Sequence, residues 1–270
     1  MRTSGGPLYS GAMKSLPFVP ADTFPAVIVP LSAVDPEELG EQSARCAATE
    51  GVDVIEWRVD ALAEFGAVDH VLEPHELEGI RDRVRAGWEA LRANTAQPVL
   101  VTVRTRGEGG AAALTDEAYA GLVGTFIELG PEAVDIEFER TTAEALIARA
   151  HDAGVSALAS FHDFERTPPA EHLLRLMSTM HRAGADVAKI AVMPEHRTDV
   201  LEVLSVGDRA QATLPIPVVA ISMGELGKAT RLVGSEFGSA ATFAAVGRLS
   251  APGQLTVPQV RAALDALGAD

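Results

Sequence analysis

The sequence predicts an α/β protein whose main domain is a (β/α)8 TIM barrel. Eight short apolar runs rich in β-branched residues alternate with amphipathic helical patterns between residue 25 and the C-terminus. Such runs are typical of parallel strands that are buried on both faces, and eight strand–helix units match this barrel. A doubly wound open sheet is the alternative. It is disfavoured because no Gly-rich dinucleotide fingerprint follows the first run.

The predicted elements follow one another in a regular order. Strands are predicted at 26–31, 52–59, 98–104, 133–138, 155–161, 187–193, 218–223 and 240–246. Helices with apolar residues at a period near 3.6 are predicted at 36–49, 73–92, 115–129, 142–153, 169–183, 199–212, 227–236 and 257–267. Active sites of such barrels lie at the C-terminal ends of the strands, so we expect the chemistry there.

The first 24 residues differ from the rest of the chain. They are rich in Gly, Ser and Pro and show no periodicity, which predicts a flexible N-terminal extension outside the core. Residues 25–270 then form a single catalytic domain.

Composition disfavours several classes of function. A net charge of −16 and a pI near 4.8 oppose nucleic-acid binding, although arginines focused in a cleft can still hold a small anion. Cys46 is the only cysteine, and the histidines show no ligand spacing, so no metal site is expected. Without a membrane-length apolar run or a signal-peptide pattern, we expect a cytoplasmic protein with no membrane contact.

Lys189 stands within the apolar run 185–194 and is one of three lysines in the chain. Burial among apolar side chains lowers the pKa of an amine and leaves part of it neutral, as a Schiff-base nucleophile requires. The alternative is a buried lysine paired to a carboxylate for structure alone.

Other polar residues also occupy predicted strand ends, where they would share one rim of the barrel. Any one of them could be structural, for example as a buried ion pair between Glu56 and Arg58. Together they indicate an active site. The set comprises Glu56, Arg58, Arg104, Glu108, Glu137, His162, Lys189 and Met223.

Seven motifs, in order, resemble those of type I 3-dehydroquinate dehydratase. They are Glu56-Trp-Arg-Val-Asp60, Arg104-Thr-Arg-Gly-Glu108, Ser160-Phe-His-Asp163, Lys189-Ile-Ala-Val-Met-Pro194, Ser222-Met-Gly224 with Arg231, Phe237-Gly-Ser-Ala-Ala-Thr-Phe243 and Ser250-Ala-Pro-Gly-Gln254. The resemblance implies syn elimination of water from 3-dehydroquinate to give 3-dehydroshikimate in the shikimate pathway. It also implies a homodimer.

The resemblance assigns the chemical step to three residues. Lys189 would form the Schiff base, His162 would be the general base and acid, and Glu108 would orient the imidazole. No cofactor is implied, because the imine itself serves as the electron sink. Substrate binding is assigned to Glu56, Arg58, Arg104, Arg231, Ser250 and Gln254, with Met223 and Phe243 as apolar walls.

One position departs from the family pattern. Pro30 stands where the first strand often carries a serine, and proline offers neither a hydroxyl nor an amide donor. This departure leaves open a non-catalytic barrel that binds sugar acids. A class I Schiff-base aldolase also stays open, because such enzymes carry a Schiff-base lysine on the sixth strand of the same kind of barrel. The choice between a biosynthetic and a quinate-degrading role also stays open.

Overall fold

The computed structural model describes residues 13–247 and 253–268. Within these ranges the strands are β1 (Ala26–Leu31), β2 (Val54–Arg58), β3 (Val99–Thr102), β4 (Ala133–Glu137), β5 (Ser156–Asp163), β6 (Val187–Val192), β7 (Val218–Ser222) and β8 (Ala241–Phe243). The α-helices are α1 (Pro36–Ala47), α2 (Ala63–Gly66), α3 (Glu78–Arg92), α4 (Asp116–Leu129), α5 (Ala143–Asp152), α6 (Ala170–Arg182), α7 (Arg197–Thr213), α8 (Gly224–Gly227), α9 (Thr230–Val233) and α10 (Val257–Leu267). None of these helices is long and apolar enough to cross a membrane.

The strands form one parallel sheet that closes almost completely into a barrel. Neighbours in the chain are neighbours in the sheet, and β1 pairs with both β2 and β8. Between β7 and β8 the junction is a bridge from Val218 to Ser239 and a 2.7 Å hydrogen bond from Ala240 N to Val218 O. The predicted barrel is confirmed, and the open-sheet alternative is wrong.

Side chains alternate between two buried layers along each strand. Trp57, on β2, faces outward and packs in the layer between the sheet and the helices. Val54 and Glu56, on the same strand, face the barrel interior, where Val54 belongs to an inner apolar cluster with Leu100 and Val187. Towards the C-terminal ends of the strands, polar groups join this inner face, such as Glu56 and Thr102, which are 4% and 0% exposed. The strand period therefore carries polar groups into the interior near the C-terminal ends.

Two predicted helices differ from the observed structure. The segment 73–92 begins with a 3-10 turn at Pro74–Glu76, and α3 starts only at Glu78. The segment 227–236 comprises the end of α8, then α9, and the start of a 3-10 turn at Gly234–Phe237. The chain there folds tightly onto the end of β7, since a Cβ on Gly227 would lie 2.3 Å from Ser222 O. That close approach breaks the predicted single helix into short turns.

The described part of the predicted N-terminal extension contributes to the core. Leu16 is 1% exposed and belongs to the same inner cluster as Ala26 and Ile28. Lys14 Nζ donates to Gln211 O over 2.6 Å, which ties the segment to α7. The expectation that residues 13–24 lie outside the core was wrong at Leu16, because the small inner side chains at the barrel base leave apolar surface to cover.

Leu16→Ala is expected to lower the free energy of unfolding by about 2–4 kcal/mol, as truncation of a fully buried leucine does. Leu201→Ala on α7 is the matched control, since Leu201 is 65% exposed. It should change stability by less than about 0.5 kcal/mol. Urea unfolding measures both, and equal small losses would contradict the structural role of Leu16.

Candidate active site

A cavity of about 330 Å³ opens at the C-terminal ends of the strands. Ten of the eleven site residues expected from the sequence line it, and Ser250 lies outside the described residues. The ten are Glu56, Arg58, Arg104, Glu108, His162, Lys189, Met223, Arg231, Phe243 and Gln254. These ten residues come from four strands, β2, β5, β6 and β8, and from the loops after β3, β7 and β8.

Lys189 lies deep in this cavity, where its ammonium group contacts a carboxylate and an aromatic ring. It points inward from the middle of β6 and is 4% exposed. Its Nζ lies 3.2 Å from Asp135 Oδ2 and 5.1 Å from the centre of the Phe243 ring. The lysine is thus both buried and paired to a carboxylate, which combines features of the two interpretations left open by the sequence.

Asp135 is a site residue that the sequence analysis missed. It is 1% exposed and accepts from Arg104 Nη2 at 2.8 Å and from Ser160 Oγ at 2.6 Å, besides contacting Lys189. Burial alone would raise the pKa of Asp135, but the charges of Arg104 and Lys189 lower it to about 2. A signal was present in the sequence: Asp135 and Glu137 alternate within an otherwise apolar strand, so they share its inner face.

His162 and Glu108 form the second reactive pair. His162 Nδ1 lies 2.7 Å from Glu108 Oε2, and Arg104 Nη1 contacts the same oxygen at 3.2 Å. Burial lowers the pKa of His162 well below 6.5, and the charges of Arg104, Lys189 and Arg58 lower it further. Burial also raises the pKa of Glu108 to about 8. Both shifts favour a neutral imidazole in the free protein.

Arg104 links the two pairs. Its guanidinium contacts Glu108, Asp135 and Glu137 at 2.8–3.2 Å and is almost fully buried, with 4% of the side chain exposed. A planar fork with five N–H donors can serve several carboxylates at once, and it stays charged at any working pH.

Arg231 provides an unsatisfied positive charge at another wall of the cavity. It is 9% exposed, and its Nε has no hydrogen-bond partner among residues 13–247 and 253–268. Burial lowers its pKa, and no carboxylate in those ranges offsets this effect. A buried guanidinium in this condition favours an anionic ligand, and the planar carboxylate is the form that it binds best.

The remaining polar residues of the cavity are held by neighbours within the barrel. Glu56 Oε1 accepts from Thr102 Oγ1 at 2.9 Å. Arg58 makes a bidentate pair with Asp60, with both N–O distances 2.8 Å. In the described ranges, no group of three potential ligands among His, Cys, Asp and Glu could hold a metal ion.

Comparisons with known proteins agree with this geometry. Residues 27–270 match the family model described as type I 3-dehydroquinase. The chain belongs to this family.

Named relatives cover nearly the same span. The 3-dehydroquinate dehydratase of Lactiplantibacillus plantarum is 39% identical over 218 residues, covering 80% of this chain and 82% of the relative. The crystal structure of the Geobacillus kaustophilus enzyme aligns with a TM-score of 0.82 at 32% identity, covering 91% of this chain and 92% of that one. The Clostridium difficile type I enzyme, with covalently modified comenic acid, gives 0.80 at 28%, covering 90% and 92%.

Membership in the type I 3-dehydroquinase family makes this chain an enzyme of the hydro-lyase class, as the sequence predicted, and excludes the aldolase alternative.

The proline at position 30, where the family pattern often has a serine, is compatible with the pairing of β1 and β8. Even-numbered residues of β1 hydrogen bond towards β8, but their last pair is Ile28 with Phe243. Pro30 lies just beyond that pair, so its missing N–H does not interrupt the hydrogen bonds that β1 and β8 do make. Pro30 and Ser32 both line the cavity.

Glu108→Gln is expected to stabilise the free protein increasingly as the pH rises. Between pH 4.5 and about 8 the folded chain keeps a proton on Glu108 that the unfolded chain has lost, so folding becomes less favourable across this window. The neutral amide removes this dependence. The difference in unfolding free energy between variant and wild type should grow by roughly 3 kcal/mol from pH 5 to pH 8.

Urea unfolding at several pH values measures this difference. Leu201→Ala, which removes an exposed side chain with no titratable group, is the control and should give a difference that is constant with pH. A constant difference for Glu108→Gln as well would contradict a raised pKa at that position.

His162 is expected to stay neutral while the pH falls through 6.5, because burial and three nearby cations oppose its charged form. The measurement is an NMR titration of the imidazole Cε1–H signal, assigned by its absence in His162→Ala. A midpoint at 6.5 or above would contradict this electrostatic environment.

Proposed function

We propose that this chain converts 3-dehydroquinate to 3-dehydroshikimate through a Schiff base on Lys189. The observation that carries the proposal is a buried lysine beside a carboxylate, in the same cavity as a neutral histidine that has its own carboxylate partner. A nucleophile and a separate general base are the two groups that an imine-dependent elimination requires.

In the first step the neutral amine of Lys189 attacks the C3 ketone to give a carbinolamine. The carbinolamine hydroxyl then takes a proton from His162, which received it from Lys189, and leaves as water to form the iminium. Asp135 has a pKa of about 2 and is therefore a poor acceptor for the lysine proton. Its negative charge instead orients Nζ and stabilises the iminium, which carries a full positive charge in a site with little water.

In the second step His162 removes the C2 proton, and the electron pair of the C–H bond moves towards the iminium nitrogen to give an enamine. The enamine then expels the C1 hydroxyl, which takes the proton from His162 and leaves as water. Hydrolysis of the conjugated imine releases the product and regenerates the amine. Glu108 supports this cycle in its ionised form, which accepts the proton of Nδ1 and leaves the lone pair of Nε2 for the substrate.

Substrate binding divides between two ends of the cavity. Arg231 would pair with the substrate carboxylate, assisted by Gln254 and Ser250. Glu56 and Arg58 would face the ring hydroxyls, while Met223 and Phe243 would pack on the ring. Arg104 lines the cavity, but its guanidinium already contacts three carboxylates, so it would act mainly by setting their charge.

The Clostridium difficile structure supports the covalent step. Its comenic acid is described as covalently modified. Comenic acid is a six-membered ring with a ketone and a carboxylate, the two groups that Lys189 and Arg231 would engage here.

A shikimate-pathway role, a cytoplasmic location and a homodimer belong to the same proposal and are supported by the family resemblance. Light scattering with chromatography measures the subunit number, and growth of an auxotroph that lacks this activity on minimal medium tests the biosynthetic role.

Lys189 should become modified when the protein is incubated with 3-dehydroquinate and sodium borohydride, because hydride reduces the imine to a stable secondary amine. Peptide mass spectrometry locates the added mass. Lys189→Met should show neither adduct nor product absorbance. Lys228→Met is the matched control, since this surface lysine pairs with Glu225, and it should keep both signals. A folded wild-type protein without adduct would contradict the Schiff-base mechanism.

A further inference from the structure

The loop that carries Glu108 is closed at a narrow neck. The loop follows β3, and its neck lies between Arg104 and Ala112, where Ala112 N donates to Arg104 O at 3.3 Å. Gly110 allows this closure, because a Cβ there would lie 2.0 Å from Arg104 O. The neck decides where the Glu108 carboxylate lies relative to His162.

Asp60, just after β2, hydrogen bonds to both sides of this neck. Its Oδ1 accepts from Arg104 N at 3.1 Å, and its Oδ2 accepts from Ala111 N at 3.2 Å. These two amides flank the turn that carries Glu108. The carboxylate is 3% exposed, and although burial alone would raise its pKa, the bond and charge from Arg58 lower it.

The same two oxygens also hold Arg58. Nε donates to Oδ1 and Nη2 donates to Oδ2, each at 2.8 Å. Each oxygen of Asp60 therefore serves one nitrogen of Arg58 and one amide of the loop. The guanidinium that lines the cavity and the loop that carries Glu108 depend on a single buried carboxylate.

The opposite side of the neck has a different support. Glu137 accepts from Thr105 N at 2.8 Å and from Thr105 Oγ1 at 2.7 Å. This second anchor keeps the loop attached to β4, so loss of Asp60 should shift the loop rather than release it.

We infer that Asp60 is a positioning residue that sets Arg58 for substrate binding and Glu108 for the chemical step at the same time. The inference rests on the proposed function. Asparagine at this position cannot replace the carboxylate, because its amide nitrogen would face one nitrogen of Arg58 and one backbone amide, all of them donors.

Asp60→Asn is therefore expected to lower kcat at least 10-fold and to raise KM at least 5-fold. Asp53→Asn is the matched control. Asp53 also bridges a backbone amide and an arginine, Val27 N and Arg261, but at the opposite end of the barrel. It should lower the thermal midpoint and leave kcat and KM within 2-fold of wild type.

Double-mutant cycles separate positioning from general destabilisation. In a Glu108→Gln background, Asp60→Asn should lower kcat by less than 3-fold, because the carboxylate that it positions is already absent. In an Arg58→Met background, it should no longer raise KM. If Asp60→Asn is too unstable for kinetics, Asp60→Glu replaces it. Glutamate keeps the negative charge but moves both carboxylate oxygens by the length of one methylene group. The loss of kcat in Asp60→Glu should likewise be smaller in the Glu108→Gln background.

The inference is overturned if the Asp60 variants match Asp53→Asn in kcat and KM, or if they lower kcat equally with and without Glu108. Failure of the proposed function looks different, since the wild-type protein itself would then give neither turnover nor a borohydride adduct.

Discussion

The cavity at the C-terminal end of this barrel depends on the buried positive charge of Arg104. Three carboxylates, Glu108, Asp135 and Glu137, converge on its guanidinium at 2.8–3.2 Å. Anions brought this close together out of water would repel one another and take up protons. A permanently charged, planar group at their centre allows Asp135 to stay ionised beside Lys189. Its charge also disfavours a proton on His162.

This arrangement makes the two reactive groups electrically different although they share one cavity. Lys189 faces an ionised carboxylate, which suits a group that becomes a cation during the reaction. His162 faces Glu108, whose raised pKa leaves less negative charge beside the imidazole at neutral pH. Burial raises the pKa of Glu108 and, for the same reason, lowers the stability of the fold at higher pH. At this position the requirements of the active site and of folding stability therefore oppose each other.

The two ends of the barrel use carboxylates for different purposes. At the N-terminal end, Asp53, Glu132 and Asp186 accept from amides near the starts of β1, β3 and β5, and each also pairs with an arginine or a histidine nearby. Those groups are partly exposed and support the fold. At the C-terminal end, Asp60 and Glu137 also accept hydrogen bonds from backbone amides, but these amides belong to the loop that carries Glu108. The two carboxylates therefore position an active-site residue.

The sequence by itself determined the barrel, the order of its strands, the family and ten of the residues that line the cavity. It could do so because strand and helix periods, and motifs within a few residues, are local properties of the chain. Only the tertiary structure decided that Asp135 contacts Lys189, that Leu16 covers the barrel base, and that Asp60 joins Arg58 to the Glu108 loop. These are contacts between segments far apart in the chain, and strand register and barrel closure set their distances. The pKa shifts of His162 and Glu108 also depend on the tertiary structure, because they are caused by burial and by charged side chains from other segments of the chain.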